Sequence, residues 1–342
     1  MRIAIDATYS LGPELSGVGI YSRQLISALV AMHPEQEFRL CYRAHRFLAG
    51  LRDPLGKSAG RALLTESGPI PGARLLHGLN QRLPRRRRGL SVATFHDLFV
   101  ITGEYSTPEF RSRFTQQARH AAAADLVIAV SAFTASQVTG LLNVPAERIR
   151  VIHHGASPAA EEPEGVRREP LILFVGALQK RKNVIRLIQA FEHTPPGWRL
   201  ALVGSRGYAA EEIDAAIASS PRRADINVTG YLSVQRLEKL WASAAIFAFP
   251  SLDEGFGMPV LDAMIRGVPV LTSNRSATAE VAGDAAMLVN PDEVTDISQA
   301  LQRLCGDAEL RADLAKRGKL RGERYTWRAA AEKTWSVYRE LL

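Results

Sequence analysis

Cysteine is scarce in this 342-residue chain, and long hydrophobic runs are missing from it. The two cysteines, Cys41 and Cys305, lie in different halves, which excludes a disulfide framework and indicates reduced thiols. No stretch approaches the ~20 apolar residues that a membrane-spanning helix needs. The first residues, MRIAID, are typical of a β-strand and lack the charged start and apolar run of a signal peptide. The sequence therefore predicts a soluble, cytoplasmic protein.

Acidic residues are in deficit in the first half of the chain only. Residues 1–158 hold 19 Lys and Arg against 11 Asp and Glu, whereas residues 159–342 hold 24 of each, so the net charge of +8 lies wholly in the first half. Such asymmetry is typical of proteins that meet an acidic surface, either a membrane or nucleic acid. A solvated basic face without a partner explains the charge equally well.

Short apolar runs, in contrast, are frequent and alternate with helical patterns. Such runs are typical of buried parallel strands, because helices cover both faces of a parallel sheet. They fall at residues 2–6, 38–42, 74–78, 92–97, 126–131 and 149–155 in the first half, and at 171–176, 199–204, 225–230, 245–250, 268–273 and 286–290 in the second. The sequence therefore predicts an α/β protein with two doubly wound, Rossmann-like domains facing a central cleft.

The strand pattern restarts after residues 157–170, which are rich in Pro, Glu and Ala and are typical of a linker. We predict a first domain over residues 1–158 and a second over residues 159–324. Residues 325–342 form a final helix whose aromatic residues are spaced for one buried face. We expect this helix to pack back on the first domain.

The segment DEGFGMPVLDAM, residues 253–264, places Glu254 and Asp262 around a glycine-rich loop that precedes a helix. Gly255 and Gly257 allow the backbone to approach a ligand closely. The free N–H groups and the positive end of the helix dipole then form an anion site. On its own, the pattern also fits an ordinary helix with a favourable Asp262 in or just after its first turn.

This segment and several others resemble the retaining glycosyltransferases of family 4, which have the two-domain GT-B fold. EGFGMPVLDAMIRGVPVLTS resembles the family's motif of two Glu residues separated by seven others, with Asp262 in place of the second Glu. The other matching segments, in family order, are LSGVGIYSRQLISAL, TFHDLF, AVSAFTASQV, VIHHGAS and FVGALQKRKNVIRLIQAF. The resemblance covers most of the chain. Within the family, the sequence most resembles the bacterial mannosyltransferase-like members.

The resemblance implies roles on the donor side. Glu254 contacts the transferred sugar, and Asp262, shorter than the family's Glu by one methylene, holds the ribose hydroxyls of the nucleotide. Arg181 and Lys182 reach the leaving diphosphate with flexible side chains and neutralise the charge that grows on it in the transition state. An ordinary basic loop before a helix is the alternative for this pair.

The remaining donor-binding residues implied by the resemblance are mostly glycines: Gly17, Gly19, Gly176, Gly255, Phe256, Gly257 and Met258. We expect Gly17 and Gly19 to lie in a loop before a helix that begins near Ile20. A lone GxG normally indicates only a tight turn.

His96 ends a predicted strand, and the resemblance places it beside the acceptor and the transferred sugar as a catalytic residue. A lone histidine is more often structural. His153 and His154 are adjacent in a predicted strand and point to opposite faces, so they do not chelate one ion. The chain also lacks Asp-x-Asp, the carboxylate pair that usually holds Mg²⁺ against a diphosphate. We therefore predict a metal-independent reaction without a cofactor beyond the nucleotide-sugar substrate.

The implied reaction moves a hexosyl group, mannose or a related sugar, from a GDP-linked donor with retention at the anomeric carbon. We expect a glycan or lipid-linked acceptor, as in the synthesis of bacterial surface polysaccharide and lipopolysaccharide. Arg85, Arg86, Arg87 and Arg88 form a short basic segment, and we expect it to contact the inner face of an anionic membrane peripherally.

Three other functions are weighed against this one. A nicotinamide-dependent oxidoreductase needs G-x-G-x-x-G directly after its first strand, and ATYSLGPELSGVGIYS lacks that spacing. A nucleic-acid-binding protein interleaves aromatic residues for stacking, and LPRRRRGL contains none, so no nucleic-acid partner is predicted. A non-catalytic nucleotide-binding relative stays open.

Overall fold

The structure is a computed structural model of the chain. It describes residues 2–12, 14–67, 70–86, 88–103, 105–156 and 168–342. The chain divides into two compact units, the first comprising Met1–Gly155 and Tyr325–Leu342, and the second Ala156–Arg324. Most of the predicted linker, residues 157–167, lies outside the described residues.

The first unit is built on a parallel sheet of seven strands. These are β1 (Arg2–Asp6), β2 (Glu37–Arg43), β3 (Gly60–Leu64), β4 (Ala73–Gly78), β5 (Leu90–Phe95), β6 (Leu126–Ala129) and β7 (Ile149–Val151). Their spatial order is β3-β2-β1-β4-β5-β6-β7, so the winding direction reverses between β1 and β4. Ligands of such sheets bind outside the carboxyl ends of the strands near this reversal.

In the described residues, these strands are connected by the α-helices α1 (Gly17–Met32), α2 (Ala44–Arg52), α3 (Phe99–Thr102), α4 (Pro108–Ala122) and α5 (Ala132–Leu142). Side-chain oxygens of Ser16, Thr107 and Ser131 cap α1, α4 and α5. Alternate residues of β1 enter different cores, since Ile3 packs with the α1 side and Ala4 with the opposite side. Both faces of the sheet are therefore buried.

Two predictions about this sheet are wrong. The edge strand β3 was not predicted, because GRALL is half-exposed, with Leu63 at the surface, and therefore has no continuous apolar run. The strand β7 ends at Val151, so His153 and His154 follow it and do not alternate along it.

The second unit is built on a parallel sheet of six strands. These are β8 (Glu169–Val175), β9 (Arg199–Val203), β10 (Ile226–Gly230), β11 (Ala244–Phe249), β12 (Val270–Ser273) and β13 (Met287–Val289). Their order is β10-β9-β8-β11-β12-β13, so the reversal lies between β8 and β11. The rings of Phe174, Phe247 and Phe249 stack along these two central strands.

The described residues of the second unit form the α-helices α6 (Val184–Phe191), α7 (Ala210–Ser219), α8 (Val234–Ser243), α9 (Met258–Ile265), α10 (Ser276–Ala282), α11 (Val294–Gly306) and α12 (Ala308–Gly322). Among the described helices of either unit, none combines the length and the hydrophobicity that a membrane span requires.

The last helix, α13 (Trp327–Leu341), belongs to the first unit and packs on α1. Trp335 stacks on His33, with 3.9 Å between the ring centroids. At Gly155 the chain passes so close to the backbone of Trp327 that a side chain there would collide with it. The final segment is therefore a component of the core of the first unit.

Candidate active site

Three charged side chains meet at the carboxyl ends of β8 and β11. Arg181 and Lys182 lie in a single turn after β8, and Glu254 follows β11. Residues that are 72 positions apart come together because β8 and β11 are neighbours in the sheet. This edge is where the winding reverses, and doubly wound sheets bind ligands there.

Arg181 and Lys182 bind opposite oxygens of the Glu254 carboxylate. Arg181 Nη1 lies 3.1 Å from Oε2, Lys182 Nζ contacts Oε1, and Ser251 Oγ donates to Oε1 at 2.7 Å. The three charged residues are at most 8% exposed. Burial opposes ionisation of Glu254, but the two cations and the hydrogen bonds from Lys182 and Ser251 outweigh it and lower the pKa of Glu254 to about 2. The carboxylate is therefore ionised at neutral pH and does not act as a proton donor there.

Backbone contacts hold the two turns together. The carbonyl of Arg181 accepts hydrogen bonds from Leu252 N at 2.9 Å and from Ser251 Oγ at 3.1 Å. Asn183, with a φ of 60°, donates its side-chain amide to Pro250 O at 3.0 Å. The expectation that Arg181 and its neighbour are flexible is wrong, because both side chains are buried and fixed by Glu254. Such cations need little reorganisation when charge develops beside them.

The glycine loop leads directly from Glu254 into α9. Gly255, Phe256 and Gly257 are buried, and Met258 is the first helical residue. Gly257 has a φ of 97°, and a Cβ there would lie 3.0 Å from Thr278 Cγ2, so both conformation and space favour glycine. The loop thus brings the first amides of α9 to the same strand end as the charged cluster.

Asp262 lies in the second turn of α9, where it faces Arg266. Its side chain is about one-third exposed, and Oδ1 lies 3.7 Å from Arg266 Nη1. Arg266 also pairs with Glu238 at 2.6 Å. Burial raises the pKa of Asp262 to about 6, with Arg266 opposing and Glu238 adding to the shift. Asp262 therefore changes charge close to neutral pH.

Gly176 directly follows β8 and lies against the turn after β9. Its N–H donates to Val203 O at 2.8 Å, and a Cβ on Gly204 would collide with Gly176 O. Close packing of two backbone turns accounts for these glycines, and the donor-binding role of Gly176 stays a prediction.

Gly17 and Gly19 lie inside α1, so the predicted start of this helix near Ile20 is wrong. The helix begins at Gly17 because Ser16 Oγ accepts a hydrogen bond from Gly19 N at 3.3 Å. A Cβ on Gly19 would lie 2.9 Å from Tyr9 O, so the close packing of this turn requires glycine. Gly17 is exposed at the start of the helix. Their contact with a donor diphosphate stays a prediction.

His96 follows β5 in the first unit and is buried. Its Nε2 lies 2.9 Å from Leu79 O, and because a carbonyl only accepts, Nε2 carries the proton. Burial lowers the pKa of His96 to about 4, although the hydrogen bond to Leu79 opposes the shift. The ring is therefore neutral at pH 7, and its Nδ1 lone pair can accept a hydrogen bond from a hydroxyl.

The aromatic neighbours of His96 were missed by sequence reasoning. Tyr21 lies edge-on to it at 4.6 Å between ring centroids, and His154 lies at 5.4 Å. Trp327 stacks at 6.0 Å from His154. No motif spacing links these residues, which come from α1, the segment after β7 and α13. Ser251 had a weak signal, as a polar residue directly after an apolar strand.

Of the predicted membrane residues, Arg85, Arg86 and Arg88 are exposed, and Arg87 lies outside the described residues. Arg86 N donates to Glu66 O at 3.0 Å, which anchors the segment by its backbone and leaves the side chain at the surface. No group of three or more His, Cys, Asp or Glu side chains in the described ranges is arranged to hold a metal ion.

Comparisons with known proteins agree with this architecture. A family model described as glycosyl transferases group 1 matches residues 159–321, and one described as glycosyltransferase family 4 matches residues 69–160. O-antigen chain mannosyltransferase B of Escherichia coli is 28% identical over 380 aligned residues, covering 98% of this chain and 99% of that protein.

Two solved structures have the same fold. Sucrose-phosphate synthase from Thermosynechococcus elongatus has a TM-score of 0.79 at 21% identity, covering 99% of this chain and 98% of that one. Anabaena HepE, solved in complex with UDP-glucose, has a TM-score of 0.74 at 18% identity, covering 100% of both chains.

The chain is a glycosyltransferase with the GT-B fold. This class follows from the two doubly wound parallel sheets, the matched family models and these relatives. Within that class it resembles family 4 and its bacterial mannosyltransferases. The predicted fold class, the predicted enzyme class and the predicted resemblance are all confirmed.

Proposed function

We propose that the chain transfers a mannosyl or related hexosyl group from a GDP-linked sugar to a glycan or lipid-linked acceptor in the synthesis of a bacterial surface polysaccharide. The buried cluster of Arg181, Lys182 and Glu254 carries the proposal. It presets two cations at the ligand-binding edge of the second sheet, beside the glycine loop that opens α9. A sugar diphosphate is a ligand that both features suit.

The two cations face the diphosphate as it leaves. Cleavage of the bond between the anomeric carbon and the phosphate oxygen increases the negative charge on the diphosphate, and fixed cations stabilise that charge most when they need not move. Glu254 holds both cations, and its carboxylate has lone pairs left for a hydroxyl of the transferred sugar. Asp262 accepts hydrogen bonds from the ribose hydroxyls.

Retention follows from attack by the acceptor hydroxyl on the face that the diphosphate leaves. The new bond joins the acceptor oxygen to the anomeric carbon, and a phosphate oxygen of the leaving group takes the hydroxyl proton. His96, neutral at pH 7, accepts a hydrogen bond from a sugar hydroxyl and supplies no charge. Because Arg181 and Lys182 supply the positive charge, the reaction needs no metal ion.

Mannose is favoured as the sugar because the relative that covers nearly the whole chain is named as a mannosyltransferase. The UDP-glucose bound to Anabaena HepE supports a nucleotide-sugar donor in general and does not select the base. The name of the Escherichia coli relative also supports an acceptor that is a growing polysaccharide chain.

Peripheral contact with the inner face of an anionic membrane is part of the proposal. Arg85, Arg86 and Arg88 are exposed on the unit that carries the basic excess. Each basic residue near an anionic leaflet contributes about 1 kcal/mol, screened within a Debye length. The lipid-linked acceptor would then be met at the surface where the enzyme binds.

A panel of nucleotide sugars tests the proposed function. We expect GDP-mannose, with EDTA present, to raise the melting temperature of the protein more than UDP-glucose or ADP-glucose. Transfer to a short α-mannoside should continue in EDTA and give an α-linked product by NMR. Strict dependence on Mg²⁺ would contradict the metal-independent mechanism, and stabilisation by none of the sugars would contradict the donor site.

A further inference from the structure

A buried chain of hydrogen bonds crosses the first unit from α13 to α1. Tyr338 OH lies 2.6 Å from His77 Nδ1, His77 Nε2 lies 2.9 Å from Thr94 Oγ1, and Thr94 Oγ1 lies 3.1 Å from Tyr21 OH. All four side chains are at most 1% exposed. Among the described residues, these are the only hydrogen bonds of the four side chains. Each side chain is therefore held in place by the next one in this series.

Burial fixes the charge states of these side chains. Burial, with a further contribution from His96, lowers the pKa of His77 to about 3, and burial raises the pKa of both tyrosines, so the imidazole is neutral and both phenols keep their protons. The four groups carry one exchangeable proton each and share three hydrogen bonds, so one of the four protons has no acceptor within the series.

The ring of Tyr21 connects this series of hydrogen bonds to His96. One end of Tyr21 is its hydroxyl, bound to Thr94, and its ring lies edge-on to His96 with an interplanar angle of 81°. The same ring lies 4.8 Å from His154 and 6.0 Å from Trp327. Nε2 of His96 is bound to a carbonyl, and the ring of Tyr21, nearer than that of His154, packs against the imidazole.

We propose that Tyr21 is a positioning residue for His96, and that Thr94, His77 and Tyr338 fix Tyr21 in place. The last helix, α13, thereby takes part in the acceptor-side site through Tyr338. This inference rests on the proposed role of His96 in transfer. Its consequence is that a hydroxyl group on α13, which does not contact His96, affects the orientation of the His96 lone pair.

Four variants distinguish the effect of losing a hydroxyl group from the effect of changing the shape of a side chain. Thr94→Val keeps the volume and removes the hydroxyl that Tyr21 and His77 share, whereas Thr94→Ser keeps the hydroxyl. Tyr338→Phe removes the hydroxyl at the α13 end of this series of hydrogen bonds. Tyr42→Phe is the matched control, because Tyr42 is a buried tyrosine of the same unit whose hydroxyl has no hydrogen-bond partner in the described residues.

The first measurement is the ¹⁵N spectrum of histidine side chains in the whole protein, assigned by single replacements of the eight histidines. We expect the wild type to show neutral rings for His77 and His96 at pH 7, with the proton of His96 on Nε2. Thr94→Val and Tyr338→Phe should shift or broaden the His96 signals, and Thr94→Ser and Tyr42→Phe should not. His96 signals that are the same in Thr94→Val and Tyr338→Phe as in Tyr42→Phe would overturn the proposal.

The second measurement is transfer from GDP-mannose to a short α-mannoside. We expect Thr94→Val to lower kcat about tenfold, the scale of a small misplacement of a positioned group, while KM for GDP-mannose stays unchanged. Thr94→Ser should restore kcat. Normal transfer by His96→Ala would contradict the proposed role of His96 in the reaction. The ¹⁵N spectra would still show whether the hydrogen-bonded side chains orient the imidazole of His96.

Discussion

Lys182 and Glu254 form a buried ion pair that joins the turns after β8 and β11. Arg181 contacts the second oxygen of the same carboxylate, and Ser251 donates to the first. The carboxylate fixes two cations at this edge of the sheet, and the proposed function assigns these cations to the leaving diphosphate. The predictions for both partners follow from the pair.

Replacing Glu254 with Gln should leave a folded protein with little turnover and lower stability. The variant leaves two buried cations without their carboxylate, and breaking a buried pair costs about 3 kcal/mol or more of the free energy of unfolding. Because the folded pKa of about 2 lies below the ordinary 4.5, the contribution of Glu254 is present above pH 4.5 and is lost as the pH falls toward 2. Urea unfolding at several pH values measures it.

The control for this variant is Glu212→Gln, which changes an exposed glutamate on α7 by the same atoms. It should leave both stability and turnover unchanged. Normal turnover by folded Glu254→Gln protein would exclude a role for Glu254 in transfer.

Replacing Lys182 with Ala should lower kcat for transfer from GDP-mannose by about 100-fold to 1,000-fold, the usual effect of losing one preset group that stabilises developing charge. Steady-state kinetics measure the change. Lys180→Ala is the matched control, because Lys180 occupies the same turn with its side chain exposed. A Lys182→Ala protein that differs only in melting temperature would make Lys182 a structural residue.

Donor affinity should fall as the pH is lowered from 7 to 5. Asp262 has a pKa of about 6, so it loses the charge that accepts ribose hydroxyls across this range. Calorimetry with GDP at each pH measures the effect, and Asp262→Asn should bind GDP weakly with less dependence on pH. Equal pH dependence in both proteins would mean that Asp262 does not contact the nucleotide.

Changing Arg85, Arg86, Arg87 and Arg88 together to Ser should reduce co-sedimentation with anionic liposomes at low salt. Transfer to a short soluble acceptor should be unaffected, because the change acts on docking. The control removes equal charge from exposed arginines of the second unit: Arg223, Arg236, Arg303 and Arg324. Equal loss of sedimentation in both proteins would indicate a general charge effect and no docking segment.

The sequence predicts most strands of both sheets because a strand buried on both faces appears as a continuous apolar run. It does not predict β3, whose side chains are half-exposed, or the start of α1, which depends on the cap that Ser16 provides. Boundaries of this kind depend on local hydrogen bonds that composition does not report.

The charged cluster shows a second limit of sequence reasoning. Arg181, Lys182 and Glu254 were each predicted at the site, but their pairing was not, because it depends on β8 and β11 being neighbours. The order of strands in a sheet is a tertiary property that the spacing of motifs leaves open. The aromatic contacts of His96 were missed for the same reason, since they join residues from three separate parts of the chain.

The return of α13 to the first unit has a consequence for synthesis on the ribosome. The second unit is contained in one continuous stretch, Ala156–Arg324, and can fold as soon as that stretch has emerged. The first unit begins earlier along the chain but lacks Tyr338, the partner of His77, until the whole second unit has been translated. The first unit therefore acquires its complete set of contacts only after the second unit has been synthesised, because His77 and α1 both pack against α13.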